Sequence, residues 1–465
     1  MNKKKSGLSL FDLFSMGFGA IIGVGWSATL NNLLRNGGGP LPAILGFSAA
    51  TILFIPIALC FAELAPAIPE AGGVIAYAKK AFNSKIAFIA GWFIAMAYIS
   101  IVPWEAIAIN DIVCYLIPSI REGEPLYTIM GENLYPGTIA MGIAMSFLVI
   151  IINWRGIEKG AKFQSFMILF MLAGSAICVF FTLIKADFSN LVTPAYAPME
   201  GKNHFSFLTG ALAMLGLAPS YYAGFDTIPQ SVDSAKDVPK KSLGKIIIIT
   251  LISAGLFYAM IFLSAGVSYP WLDIVEMDRP VLSNLLRTLY PGVLGEILWY
   301  ICIIATLAGL FSTWNGFYIA SGKALQGMAK AGALPAVFAK EHAKYKTPVV
   351  ANTFVSVIMM LGPFLGAGVL DIMSILESAG FILGWGIACL AVIKLRKAHP
   401  EMERPYKIPG KLLFPILGVI ISIIMFINCI VPGMPGYMGT AGVIAFVIWS
   451  LLGIIFYNVN KRKLQ

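Results

Sequence analysis

Charge is what this chain has least of. Only 12% of its 465 residues are charged, while 58% are hydrophobic. Soluble domains carry about 25% charged residues, so an ordinary water-soluble fold is excluded. Histidine and cysteine are also scarce. The three histidines, His204, His342 and His399, fall in predicted loops and form no metal cluster. The six cysteines are scattered through apolar segments with no CxxC spacing. They read as small buried hydrophobes, not as a disulfide framework or zinc site. No Lys or Arg lies deep in any apolar run. No cleavable signal is expected, because Lys3-Lys4-Lys5 precedes a long span with no short apolar core and cleavage site.

What is present is apolar length. Repeated runs of about 20 apolar residues predict an all-α polytopic membrane protein. Twelve spans are expected, at 10–36, 42–63, 86–117, 136–153, 163–184, 206–231, 246–268, 293–322, 348–366, 371–393, 411–432 and 439–457. Placing the N-terminus inside puts 27 of the 33 Lys and Arg residues on the cytoplasmic side. Only Arg35, Arg121, Lys185, Lys202, Arg279 and Arg287 fall outside. That asymmetry predicts a multi-pass protein of the cell membrane with both termini cytoplasmic. The formal charge of +10 is spread over every inner loop. It therefore predicts contact with the lipid bilayer and no nucleic-acid partner.

Glycine interrupts the first span at Gly17, Gly19, Gly23 and Gly25. Each costs a helix about 1 kcal/mol against Ala. Two readings follow: close helix packing, or a break that lines a cavity. A second interruption favours the break. In Pro219-Ser220-Tyr221-Tyr222-Ala223-Gly224-Phe225-Asp226-Thr227-Ile228-Pro229, two prolines and a glycine bracket a mid-span aspartate. The two interruptions open spans 1–5 and 6–10, and five spans per half force opposite orientations, as an inverted repeat requires. The expected organisation is a tail at 1–9, a first repeat at 10–184, a second at 206–393, two further spans within 411–457, and a tail at 458–465. Within Ala62 to Phe82, the periodicity after Gly72-Gly73 predicts a short amphipathic helix at the inner membrane face. A similar inner piece is expected from Gly327 to Phe338.

Six stretches together resemble the amino acid–polyamine–organocation family of permeases. They are the first-span glycines, the Glu63-Leu64 to Phe82 stretch, Asn153-Trp154-Arg155-Gly156, Gly224-Phe225-Asp226 with Asp237-Val238-Pro239-Lys240, Lys330 to Pro348, and Arg404-Pro405-Tyr406-Lys407-Ile408-Pro409-Gly410. The resemblance implies a LeuT-type five-plus-five inverted repeat with discontinuous helices 1 and 6, two extra C-terminal helices, and transport of amino acids or related amines.

An amino acid brings a carboxylate and an ammonium. The N–H groups of Gly23, Val24 and Gly25, at a new half-helix start, suit the carboxylate. Carbonyls near Ala20–Ile22 and at Tyr222 and Ala223 suit the ammonium. Tyr221, Tyr222 and Phe225 are candidates for an aromatic gate, and ordinary packing is the alternative. Glu105, Asp226 and Glu377 lie within apolar runs. Intramembrane carboxylates mark function by default, as coupling groups or as counter-charges, unless they are structural hydrogen-bond partners. Asp111 sits near a span end and is expected to be solvated. The position where some relatives carry a coupling lysine corresponds to Met171. A sodium site resembling that of the fold would use carbonyls of Gly19, Ile22 and Gly309 with the hydroxyls of Ser312 and Thr313. The alternative for those hydroxyls is bonding back to their own helix. Sodium, proton and uncoupled exchange all remain open. Gly316 is expected to leave room for a large substrate side chain.

The leading expectation is a secondary active transporter of neutral or cationic amino acids. An amine or polyamine antiporter, by proton coupling or exchange, comes second. An enzyme is not expected, for want of any His or Cys cluster or phosphate loop. A channel would need a pore-lining filter. No cofactor is expected beyond a coupling sodium ion or proton.

Overall fold

The computed structural model describes residues 7–202, 204–235 and 238–464. Lys3, Lys4, Lys5, Lys236 and Asp237 lie outside the described residues, as do the side chains of Lys461, Arg462 and Lys463.

The chain opens with α1 (Leu10–Ile21), α2 (Leu30–Gly37), α3 (Pro40–Ala67), α4 (Val74–Ala81) and α5 (Ser84–Leu116). An antiparallel hairpin, β1 (Tyr127–Ile129) and β2 (Glu132–Leu134), pairs Tyr127 with Leu134. Then come α6 (Pro136–Trp154), α7 (Ile157–Ile184), α8 (Phe207–Tyr222), α9 (Thr227–Gln230) and α10 (Lys240–Ser268). Two short helices, α11 (Trp271–Glu276) and α12 (Val281–Leu289), precede α13 (Val293–Lys330). The chain ends with α14 (Val349–Leu361), α15 (Leu370–Ala398), α16 (Leu413–Ile430) and α17 (Gly439–Leu464).

Nine helices among the described residues are long and apolar enough to cross a membrane. The protein is an all-α polytopic membrane protein. The other three expected spans are shorter segments. The first divides into α1 and α2, the sixth into α8 and α9, and the ninth is α14 followed by a tight turn at Gly362–Phe364. Burial sorts the helices into layers. In α5, 67% of the apolar window is buried, against 11% in α17. The exposed side chains of the outer helices are apolar, as at Phe166, Leu169 and Phe170 on α7 and Ile420, Ile423 and Ile424 on α16. Such a surface suits hydrocarbon, not water.

Two stretches carried inner-face expectations. The helix after Gly72-Gly73 exists as α4, with its apolar side turned onto protein. Val74, Ile75, Tyr77 and Ala78 are buried in protein, and only Lys79 and Lys80 are exposed. Gly72 and Gly73 adopt φ of +97° and +47°, and a Cβ at Gly72 would stand 2.7 Å from the Gly327 Cα. The glycines let this loop press against α13. The second piece, from Gly327 to Phe338, is no separate helix. There α13 runs on to Lys330 and a 3-10 turn follows at Ala336–Ala339.

Two buried ion clusters tie distant helices together. Glu63, 1% exposed, accepts from Arg396 Nε at 2.8 Å, from Arg396 Nη2 and from the Ile408 N–H at 2.9 Å. Arg404 Nε lies 3.2 Å from the same carboxylate. Two of the six family-like stretches therefore meet at one buried ion cluster. Lys323, also buried, donates to Asp233 at 2.8 and 3.1 Å.

Candidate functional site

The first break follows from where hydrogen bonds stop. Helix α1 closes with the Ile22 N–H donating to Phe18 O at 2.9 Å. The N–H groups of Gly23, Val24 and Gly25 donate to no acceptor among the described residues. Pairing resumes at Ser27 and Ala28, which both donate to Val24 O. The carbonyls of Ala20 and Ile22 likewise accept nothing there, whereas Gly19 O accepts from Thr313 Oγ1 at 2.9 Å and Ile21 O from Tyr258 at 3.3 Å. Ile22, Val24 and Trp26 are buried, while Gly23 and Gly25 keep accessible surface. Unpaired backbone so deep in a membrane protein is costly unless something polar meets it.

The second break lies between α8 and α9. The Ala223 N–H still reaches Pro219 O at 3.0 Å, but the carbonyls of Tyr222 and Ala223 accept nothing among the described residues. Gly224 adopts φ +142°, and a Cβ there would sit 2.7 Å from the Ile21 N and 2.9 Å from Gly17 O. Only glycine lets the two breaks touch. Asp226 holds this turn. Its Oδ1 accepts the Gly224 N–H at 3.0 Å and its Oδ2 accepts the Tyr98 hydroxyl at 2.7 Å. Its carboxylate is spent on the break and is not offered to a bound molecule.

The other two acids face the first break. Glu105 Oε1 lies 3.8 Å from where a Cβ of Gly23 would stand, and its Oε2 is buried without a hydrogen-bond partner. Glu377 Oε1 accepts from Ser220 Oγ at 2.5 Å. Next to Ser220, the Tyr221 ring stands 2.9 Å from a Cβ at Gly25.

Below these lies an oxygen-rich spot. A Cβ at Gly19 would collide with Ser312 Oγ, and one at Gly309 would stand 2.6 Å from Gly23 O and 3.3 Å from Ile22 O. Ser312 Oγ is buried and has no hydrogen-bond partner among the described residues. Thus Gly19, Ile22, Gly309, Ser312 and Thr313 converge. One expectation fails: α13 is unbroken through Gly309, so that carbonyl belongs to the helix ladder and is not freed. Met171 Sδ, 3.2 Å from the same Gly309 Cβ position, brings no charge.

Three further placements differ from the sequence reading. Tyr222 is packed away, its hydroxyl bonded to Phe47 O at 2.9 Å and Thr51 Oγ1 at 2.7 Å. Phe225 is also turned into packing, 5.1 Å from the Trp385 ring. Of the three aromatics only Tyr221 faces the first break. Gly316 leaves no room for a ligand, since a Cβ there would stand 2.8 Å from Gln164 Nε2. Asp111, near its helix end, pairs with Arg121.

Sequence reading passed over Gln164, Asn315 and Tyr98. Gln164 Nε2 donates to Ser312 O at 3.0 Å and Met16 O at 3.3 Å, and its Oε1 accepts from Asn315 at 3.0 Å. Asn153 extends the chain to Asn315 Oδ1 at 2.7 Å. A signal was there: buried amides in apolar helices must find partners.

A many-spanning helical membrane protein with two interrupted, mutually packed helices is the class that this fold and site define. Comparison with known proteins makes it particular. The family described as "Amino acid permease" matches residues 8–457, and the chain belongs to that family. It is similar to the branched-chain amino acid permease BcaP of Bacillus subtilis, 24% identical, covering 99% of this chain and 94% of that protein. It is likewise similar to the methylthioribose transporter of the same organism, 25% identical over 98% and 93%. A third relative there, the glutamate/serine transporter AimA, is 24% identical over 100% and 83%. The protein is a membrane permease and not an enzyme.

Proposed function

We propose that this permease is a secondary active transporter of amino acids with neutral or cationic side chains across the cell membrane, working by alternating access and coupled to sodium. The observation that carries the reading is the row of unclaimed N–H groups at Gly23, Val24 and Gly25. They are a cradle for a carboxylate. The carbonyls of Ala20, Ile22, Tyr222 and Ala223 receive the ammonium. Tyr221 borders the site, and Tyr222, Phe225 and Asp226 hold its frame. Breaks that open each of two five-span halves support a twelve-span inverted repeat, residues 10–184 and 206–393, with 411–457 appended and both termini cytoplasmic.

Ser312 Oγ, buried beside Gly19 and without a hydrogen-bond partner among the described residues, fits a hard cation. Gly19, Ile22, Ser312 and Thr313 would hold sodium there, with Gly309 close by. The ion would supply positive charge beside the carboxylate cradle. A second reading, proton-coupled or exchange transport of amines or polyamines, draws on the buried Glu105 and Glu377. Uptake into proteoliposomes in sodium against choline buffer tests the proposal. Sodium-dependent, saturable amino acid uptake is expected, and equal uptake in the two buffers would remove the sodium coupling.

A further inference from the structure

Two acids face the first break, and they approach it from two sides. Glu105, on α5, stands against Gly23, while Glu377, on α15, reaches the break through Ser220 and Tyr221. Glu105 is 2% exposed and one of its oxygens has no hydrogen-bond partner. A buried carboxylate oxygen without a donor is unstable unless the missing donor arrives with a ligand. Arg279, between α11 and α12, is a cation whose charge reaches Tyr221, but no Lys or Arg forms an ion pair with Glu105 or Glu377 among the described residues. Lys323 is consumed by Asp233, Arg35 by Glu276 and Arg121 by Asp111. Asp226 is committed to Gly224 and Tyr98. The nearest helix interior offers Met171 and Thr313 instead of charge.

We infer that Glu105 and Glu377 form a second cation subsite, so that the preferred cargo carries two cationic groups: a dibasic amino acid. The inference rests on the proposed amino acid site and adds a subsite to it. The backbone cradle takes the α-carboxylate and the free carbonyls the α-ammonium. The side-chain ammonium then donates to the unpartnered oxygen of Glu105, with Glu377 contributing field and a second acceptor. A neutral side chain of equal length would leave the Glu105 oxygen unpaired. Removing one partner of a buried charge pair costs enough to shift affinity by about ten-fold or more.

The experiment is competition against radiolabelled L-lysine uptake by the full-length protein in proteoliposomes. L-ornithine, L-norleucine and cadaverine serve as competitors. L-ornithine should compete at least about ten-fold better than L-norleucine. Glu105→Gln should erase that preference, and Glu377→Gln should narrow it. Preference for L-norleucine in the wild type, or loss of both substrates in equal measure in properly folded Glu105→Gln, overturns the subsite alone. Cadaverine competing as well as L-lysine would leave the carboxylate cradle idle, and so overturns the amino acid reading and the dibasic amino acid cargo with it. Failure to transport any amino acid overturns the proposed function together with the subsite.

Discussion

Gly224→Ala should disable transport by closing the seam between the two breaks. Gly224 has φ +142°, a conformation that side chains rarely adopt, which costs about 1–3 kcal/mol. The added methyl would also meet the Ile21 N at 2.7 Å and Gly17 O at 2.9 Å. Both are backbone atoms and cannot rotate away. Forcing a methyl into packed surroundings costs about another 1–3 kcal/mol. The total, about 2–6 kcal/mol, would depopulate the binding-competent arrangement by a factor of roughly 30 to above 10,000. Initial uptake rates and substrate binding on purified, reconstituted protein measure this. Gly201→Ala is the control, because Gly201 also has a positive φ, +73°, but no atom among the described residues within 4 Å of its Cβ position. That control should transport normally. If Gly224→Ala binds substrate with wild-type affinity, the breaks need no contact and the reasoning fails.

Three other outcomes follow from the same geometry. Ser312→Ala combined with Thr313→Ala should lower sodium-stimulated uptake at least about ten-fold, since two of the oxygens near Gly19 would be gone; unchanged sodium response in vesicles would place the ion elsewhere. Asp226→Ala strands the Gly224 N–H, about 1–3 kcal/mol, and leaves the Tyr98 hydroxyl only the backbone oxygen of residue 226, at 3.2 Å, as acceptor, so both thermal stability and apparent affinity should fall, with Tyr98→Phe milder. Glu63→Ala leaves Arg396 and Arg404 nearly buried without their anion, about 3–5 kcal/mol; an unaltered melting temperature in detergent would show that the cluster contributes no stability.

What could be read from residue order depended on range. Span positions were legible because the need to satisfy backbone groups in hydrocarbon acts locally, over about 20 residues. The breaks were legible for the same reason, as glycine and proline act on their own turn. The hairpin at Tyr127–Leu134 and the short helices α11 and α12 left no comparable trace, because outside the hydrocarbon a segment need not satisfy its backbone by itself. Side-chain roles were the least legible. Asp226, Glu105 and Glu377 look alike in sequence, each a lone acid in an apolar run. Only the fold shows that the first is spent on Gly224 and Tyr98 while Glu105 keeps an oxygen unclaimed.

The two breaks are kept open by different physics, and that difference bears on which one moves. The first is held by little of its own. Among the described residues, no backbone bond forms between Gly23 and Trp26 except at Val24 O, and one hydroxyl, Thr29 Oγ1, reaches Gly25 O at 3.3 Å. The second is braced by a carboxylate, a phenol and the Thr227 hydroxyl, which donates to Gly224 O at 2.7 Å. Few internal bonds mean low local stability, and elements that rearrange are drawn from that end. The first break, where the free N–H groups lie, is therefore the part that should order on ligand binding, while the second acts as its fixed counterpart. Amide hydrogen exchange measures the contrast directly. Protection on adding substrate should rise at residues 22–29 and change little at residues 223–227, and the opposite pattern would reverse the assignment of moving and fixed parts.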